Sequence, residues 1–337
     1  MDSEHDVRKP RHSTLIEEEK EALKSISATS KDLHDVLKGI KSWSFDIFEI
    51  KREDLPKLVE RIFVDMGLFE ALPLDARKFF GFVTSIMGQY HINVPYHNFR
   101  HACDVLHAAY LILTLVEAQN MLNTLEIFAL LLAALCHDVD HPGLTNSFLS
   151  VTNDPLAIRY NDISILESHH ASTTIKTLLA YESTNILELF SEAEQRHIRK
   201  LLVEIILATD MEQHFKIMDM LKARSTESRP FECSPPFARK SSQNNSGSSS
   251  EGGSSSSQNS NSSNSVQSSP SSTRDAVLLL KMIIKCADIS NVVKPFFLSK
   301  RWAALLLTEW FRQGDSERKL GLPVSKNMDS ANPVALQ

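Results

Sequence analysis

The chain has 337 residues, 42% of them hydrophobic and 23% charged, with a formal net charge of -6; this suits a soluble protein with one large helical domain or two small ones. No basic stripe interleaved with aromatics is present, which argues against nucleic acid, and the most apolar run, Leu125–Cys136, is too short for the roughly 20 residues of a membrane span. Without a leader-like start, and with Cys103, Cys136, Cys233 and Cys286 lacking zinc-finger or redox spacing, the chain is expected in the cytoplasm.

Residues 1–42 read as a charged arm that is helical in part, for example over Leu15–Ile26. Within it Leu33, Val36, Leu37 and Ile40 fall on one helical face, and Leu58, Ile62 and Met66 repeat that spacing after Pro56. Phe79, Phe80, Val83, Ile86, Met87 and Tyr90 form the next apolar face. Pro95 then predicts a helix that opens at Tyr96 and His97. Asn123 followed by Glu126 has the form of a capping box and opens a helix so apolar on every side that it must run through the core. It carries His137 and Asp138 at its inner end and stops at His141-Pro142-Gly143, since proline cannot continue the ladder and glycine permits a turn.

Further helices are predicted over Glu167–Leu179, Glu194–Thr209, Glu212–Lys222, Arg274–Cys286 and Ser299–Gln313. No alternating strand pattern competes with them, so the expected fold is all-α. Phe296, Phe297, Trp302 and Trp310 are assigned to the core, as are Cys136 and Cys286, read as buried thiols behind the site. Glu204 is read as a partnered core carboxylate. His107, His169, His197 and His214 take the ordinary structural role of an isolated histidine. Residues 241–273 are almost entirely serine, asparagine, glycine and glutamine, too polar to offset their ordering entropy, and read as a disordered insertion.

The chemistry concentrates in His97-Asn-Phe-Arg-His101, His137-Asp138-Val-Asp140-His141 and, far downstream, Lys285-Cys-Ala-Asp288. Histidines four apart on a helix share a face, with Cβ atoms about 6 Å apart. The two pairs and Asp288 therefore read as one metal site. Asp138 stands out because one carboxylate can bridge two cations, the arrangement of two-metal hydrolytic sites acting on phosphates.

These motifs, with Tyr96-His-Asn-Phe-Arg-His101, Arg159-Tyr-Asn-Asp-Ile-Ser164, Glu167-Ser-His-His170, Leu207-Ala-Thr-Asp-Met211 and Asp288-Ile-Ser-Asn291, resemble the class I cyclic nucleotide phosphodiesterases. The wording is closest to the ninth, cGMP-selective family, as is Gly321-Leu-Pro-Val324. The similarity runs from about Trp43 to Asp329 and defines a catalytic domain at 43–337 interrupted by the serine-rich insertion. It implies a compact multi-helix domain with its metal site at helix ends. It also implies hydrolysis of a 3′,5′-cyclic nucleotide, cGMP ahead of cAMP, to the 5′-monophosphate, as part of cyclic nucleotide signalling.

Carried over by position, the resemblance implies His101, His137, Asp138 and Asp288 as ligands of a tightly held zinc, with Asp138 also reaching a second metal, magnesium or manganese. A hydroxide between the two would attack phosphorus. His97 would be the general acid, and Glu167 or another carboxylate would hold it or the solvent. His141, His170, Thr209 and Asp210 would support the water shell of the second metal, although Asp210 could instead cap the next helix. Tyr96 and Asn291 would line the nucleotide pocket.

Relatives of this kind continue past Gly-Leu-Pro-Val with helices that supply a purine-binding glutamine and a stacking phenylalanine. Asn332-Pro-Val-Ala-Leu-Gln337 does not resemble that segment. The expectation is a domain incomplete at its C-terminus, whose Ser299–Gln313 helix exposes an apolar face to a partner or a second copy. The alternatives are a metal-binding but inactive fragment acting through a partner, and a His-Asp phosphohydrolase of noncyclic nucleotides.

Overall fold

A computed structural model of the chain describes residues 33–232 and 270–331. Most of the N-terminal arm, Cys233 and residues 241–269 of the serine-rich insertion lie outside the described residues. Among the described residues there are thirteen α-helices and no strand. Val36 and Ile40, on and after α1 (Leu33–Leu37), are buried in the main core, so the end of the predicted arm belongs to the domain.

Local signals explain most helix starts. In α2 (Leu55–Asp65), Pro56 occupies the first turn, where its missing N–H costs nothing, and Leu55, Leu58, Val59 and Ile62 make one buried face. A short α3 (Leu68–Ala71) follows the left-handed Gly67. The Asp75 side chain accepts from the Arg77 and Lys78 amides and opens α4 (Ala76–Gln89), which buries Phe79, Phe82, Val83 and Ile86. Phe80, expected on that face, is 48% exposed: the buried stripe runs through Phe79 and Phe82, and Phe80 falls beside it.

The central helices are α5 (Phe99–Leu115) and α6 (Thr124–Cys136). Both parts of the predicted capping box close on α6: the Asn123 side chain accepts from the Glu126 amide, and the Glu126 carboxylate accepts from the Asn123 amide. Leu130, Leu131, Leu132 and Leu135 are fully buried. Each such leucine contributes about 1.5–3 kcal/mol by leaving water, so this one segment anchors the fold.

Two short helices, α7 (Asn146–Val151) and α8 (Pro155–Tyr160), lead into α9 (Ile165–Ala180). Beyond it come α10 (Glu192–Leu207), opened by a Ser191–Glu194 capping box, and α11 (His214–Ser225). The helix after the insertion, α12 (Pro270–Asp288), begins at Pro270 and so takes up the last residues assigned to the insertion. α6 is packed between α5, α10 and α12, which hold it on three sides.

The last helix, α13 (Phe296–Lys319), is longer at both ends than its predicted core. Trp302 is buried on it, but Phe296 and Phe297 are 82% and 59% exposed, not core, because they occupy its outward first turn after Pro295. Trp310 is half-buried. Cys286 is exposed rather than packed behind the site, whereas Cys103 and Cys136 are buried thiols.

Candidate metal centre

Both histidine pairs straddle a helix end instead of sharing a helix. Asn98 caps α5 by accepting from the Arg100 and His101 amides, so His101 sits in the first turn and His97 in the preceding loop. His137 is the C-cap of α6, and the residues after it turn, with Asp140 at φ 64. The loops bring the rings together where a straight helix would have aligned them: His97 and His101 are 5.8 Å apart, and His97 stacks on His141 at 4.1 Å.

Four predicted ligands converge. His101 Nε2 lies 3.5 Å from Asp138 Oδ2 and 3.3 Å from Asp288 Oδ1, and His137 Nε2 lies 3.1 and 3.3 Å from the same oxygens. A cation bound at roughly 2.0–2.1 Å by tetrahedral donors holds those donors about 3.3 Å apart. The spacing therefore fits an ion of that size. His101 Nε2, His137 Nε2 and Asp138 Oδ2 are buried and lack a hydrogen-bond partner, which is costly unless something else engages them. His137 Nδ1 donates to the Ala134 carbonyl at 2.9 Å, which leaves Nε2 as the ring atom that faces the two carboxylates.

A second cluster shares Asp138. One donor atom each from Asp138, His141 and His170 lies within 4.8 Å of the others, with His170 Nε2 3.9 Å from Asp138 Oδ1. His141 Nδ1 accepts from the Gly143 amide at 2.9 Å, so its Nε2 carries the proton and can donate to solvent. Thr209 donates to the Ile206 carbonyl, while Asp210 accepts from Ser164 Oγ at 2.6 Å and caps the turn through the Glu212 amide. Asp210 therefore caps the turn and also lines the cleft.

The electrostatics of the cluster are cation-seeking. Burial alone would lower the His137 pKa, but Asp138 and Asp288 overcome it and hold the imidazole well above its ordinary range. Burial likewise opposes ionisation of Asp138 and Asp288, yet the adjacent histidines keep both far below the usual carboxylate range. A carboxylate pair that stays ionised in a buried site and holds the neighbouring imidazole protonated attracts a metal cation for the same reason. His170 is pushed down to about 4 and His141 well below its usual value, chiefly by burial, so both are neutral at pH 7.

The carboxylate that holds His97 is Glu309, which the sequence reading did not single out. Glu309 Oε1 pairs with His97 Nδ1, while Oε2 accepts the Tyr96 and His97 amides at 3.0 and 3.1 Å. Burial opposes the charge on His97, but the charge and hydrogen bond of Glu309, aided by Asp138 and Asp288, raise its pKa to about 9. Glu167 stands elsewhere: its carboxylate accepts from Asn146 at 3.0 Å, and burial raises its pKa to about 7.

These groups border a cleft of about 330 Å³ lined by, among others, His97, Asp138, Glu167, His170, Asp210 and Asp288. Tyr96 and Asn291 lie outside that lining. They are buried and bonded to each other, with the Tyr96 ring 4.5 Å from that of His101. Lys285 is also buried and donates to the Ala208 carbonyl at 3.0 Å, which fixes the loop that carries Thr209 and Asp210. No helix among the described residues is long and apolar enough to cross a membrane.

Residues 96–336 match the 3′5′-cyclic nucleotide phosphodiesterase family. The chain is 33% identical over 300 residues to the 3′,5′-cyclic-nucleotide phosphodiesterase regA of Dictyostelium discoideum, covering 89% of this chain and 32% of that protein. It is 28% identical over 324 residues to the 3′,5′-cyclic-AMP phosphodiesterase 4C of Rattus norvegicus, covering 95% and 52%. To the high-affinity cAMP-specific phosphodiesterase 8A of Mus musculus it is 32% identical over 308 residues, covering 88% and 35%. The chain thus spans about a third to a half of these relatives. The phosphodiesterase domain of the Salpingoeca rosetta rhodopsin phosphodiesterase has a similar fold, with TM-score 0.69 and 29% identity over 91% of this chain and 78% of that one. A family match across most of the chain, on an all-helical fold with the histidine–aspartate cluster in it, means that this chain belongs to the 3′,5′-cyclic nucleotide phosphodiesterases.

Proposed function

We propose that the chain hydrolyses a 3′,5′-cyclic nucleotide to the 5′-monophosphate, with His97 as general acid. The observation that carries this reading is the Glu309–His97 pair beside four converging donors. A pKa near 9 keeps His97 protonated at pH 7. Because Nδ1 is held by Glu309, the proton available to a departing 3′ oxygen is the one on Nε2.

His101, His137, Asp138 and Asp288 would hold zinc, since imidazole nitrogen and carboxylate oxygen are its usual donors. Asp138 would also reach magnesium or manganese at the second position, whose water shell His141, His170, Thr209 and Asp210 would support. Bound there, two divalent cations supply a hydroxide nucleophile at neutral pH and offset phosphate charge. The neutral His141 orients solvent through Nε2–H, and its stacking on His97 fixes the acid's ring plane. Glu167, with a pKa near 7, can hold or accept a proton from that solvent.

For the base, the wording around Tyr96–His101 and Gly321–Val324 favours cGMP, whereas two relatives are named for cyclic AMP. We keep cGMP as the finer proposal, within a cytoplasmic signalling role in keeping with the free thiols of the described residues. The experiment is product analysis with cGMP, cAMP and noncyclic nucleotides, with and without chelator, on the native chain and His97→Ala. Chelator-sensitive formation of 5′-monophosphate that His97→Ala abolishes is expected. Turnover that survives both treatments, or confined to noncyclic nucleotides, overturns the reading.

A further inference from the structure

A second cleft, of about 490 Å³, lies between the loop at residues 91–98 and one face of α13. Its apolar lining includes Phe48, Ile92, Val94, Pro95 and Leu305, with the fully buried Leu55 and Trp302 also bordering it. Four guanidinium groups line it as well, those of Arg52, Arg100, Arg301 and Arg312, and no Asp or Glu does. None of the four is ion-paired with a carboxylate among the described residues. Arg100 and Arg312 donate to the backbone carbonyls of Ile47, Ile50 and Asn93, and Arg52 to that of Met87, bonds that leave other N–H groups of each side chain unused. Arg301 lies over the Phe48 ring, 3.9 Å from its centroid, and Asp46 is the carboxylate whose charge reaches it.

With Asp46 the carboxylate that acts on both Arg100 and Arg301, four arginines around apolar walls still leave an excess of positive charge in a partly desolvated place, where an anion is worth more than it is in water. The indole N–H of Trp302 is also buried with no acceptor among the described residues. On α13, Arg301, Leu305, Thr308 and Arg312 recur every three or four residues and share one side, with the two arginines about 16 Å apart along the axis, roughly the length of an extended twelve-carbon chain.

We propose that this cleft binds an organic anion with an apolar body: a carboxylate head paired with arginine and a chain or flat ring system along Phe48, Pro95 and Leu305, close to the buried Trp302. The volume lies within the usual range for small-ligand sites, about 300–1,000 Å³. Its two walls are also the elements joined by Glu309 to the Tyr96 and His97 amides, but binding itself does not depend on the hydrolase reading.

The test is calorimetric titration of the full chain with dodecanoate and with its uncharged methyl ester, both below their aggregation concentrations. One dodecanoate per chain is expected, with affinity at least about tenfold weaker for the ester and for R301E/R312E, and unchanged for the remote surface variant R196E. A brominated dodecanoate read by quenching of tryptophan fluorescence gives a second measure on the native chain, with W302F removing most of the quenching. Equal affinity of acid and ester, many molecules bound per chain, or quenching undiminished in W302F overturns the proposal. If R301E/R312E does not fold, the ester comparison and W302F decide it.

Discussion

Glu309 and His97 are 212 residues apart in the chain, yet one carboxylate binds the ring of His97 and two consecutive backbone amides. This is a clamp, because it fixes the side chain and the loop that carries it together. The clamp places a buried negative charge against a histidine at the rim of the metal cluster.

Replacing Glu309 with Gln keeps the shape and removes the charge. The raised His97 pKa then falls, so the basic limb of the kcat/KM profile moves to lower pH by at least about one pH unit, with a loss of about 10–100-fold at pH 8. Profiles measured from pH 6 to 10 read this directly. An unmoved basic limb means that His97 is not the proton donor.

The convergence of His101, His137, Asp138 and Asp288 predicts that folding and metal binding are linked. Chelation lowers the thermal midpoint, since an ion present at about 100 times its dissociation constant stabilises by about 2.7 kcal/mol. Asp288→Ala weakens metal binding at least about hundredfold. Metal content by mass spectrometry, together with melting with and without chelator, checks both. Identical melting curves for native protein and Asp288→Ala in added metal would sink the assignment.

His107 gives a pH effect away from the cluster. It is fully buried, its Nε2 sits 2.7 Å from the Ile40 carbonyl, and burial together with the neighbouring Lys294 lowers its pKa to about 4, against the opposing charge of Asp104. Between about pH 4 and 6.5 the unfolded chain binds the proton that the folded chain refuses. This contribution is fully present above about pH 6.5 and is lost as pH falls toward 4, by an amount on the order of 3 kcal/mol. Denaturant titrations of the native chain and His107→Gln are expected to differ in slope against pH across that window; parallel slopes refute it.

Gly314 has a different reason to be glycine. A Cβ there would fall 1.9 Å from the Met328 carbonyl oxygen, a backbone atom, so the close approach of the 322–331 segment to α13 requires the missing side chain. Gly314→Ala gains helix propensity of nearly 1 kcal/mol, but overpacking costs about 1–3 kcal/mol. A net loss of stability, read as a lower denaturation midpoint, is expected; a rise would show that the segment moves away freely.

Local patterns were legible where one segment contains its own cause. The Asn123–Glu126 box and the all-round apolarity of Leu125–Cys136 fix α6 without help from other residues, and the helix is buried as its composition demands. Phe80, Phe296 and Phe297 misled because apolar character states a preference for burial, while exposure depends on whether a neighbouring element covers that side of the helix.

The same division runs through the site. By itself the sequence determined the all-helical class and nominated the histidines and aspartates of the proposed site, because helical periodicity and donor chemistry are properties of short stretches. Only the tertiary structure decided that His97 stands off the helix, that Glu309 rather than Glu167 holds it, and that Tyr96 and Asn291 bond to each other. Those are pairings between distant segments, and the energy that selects them is the burial of polar groups that no local pattern records.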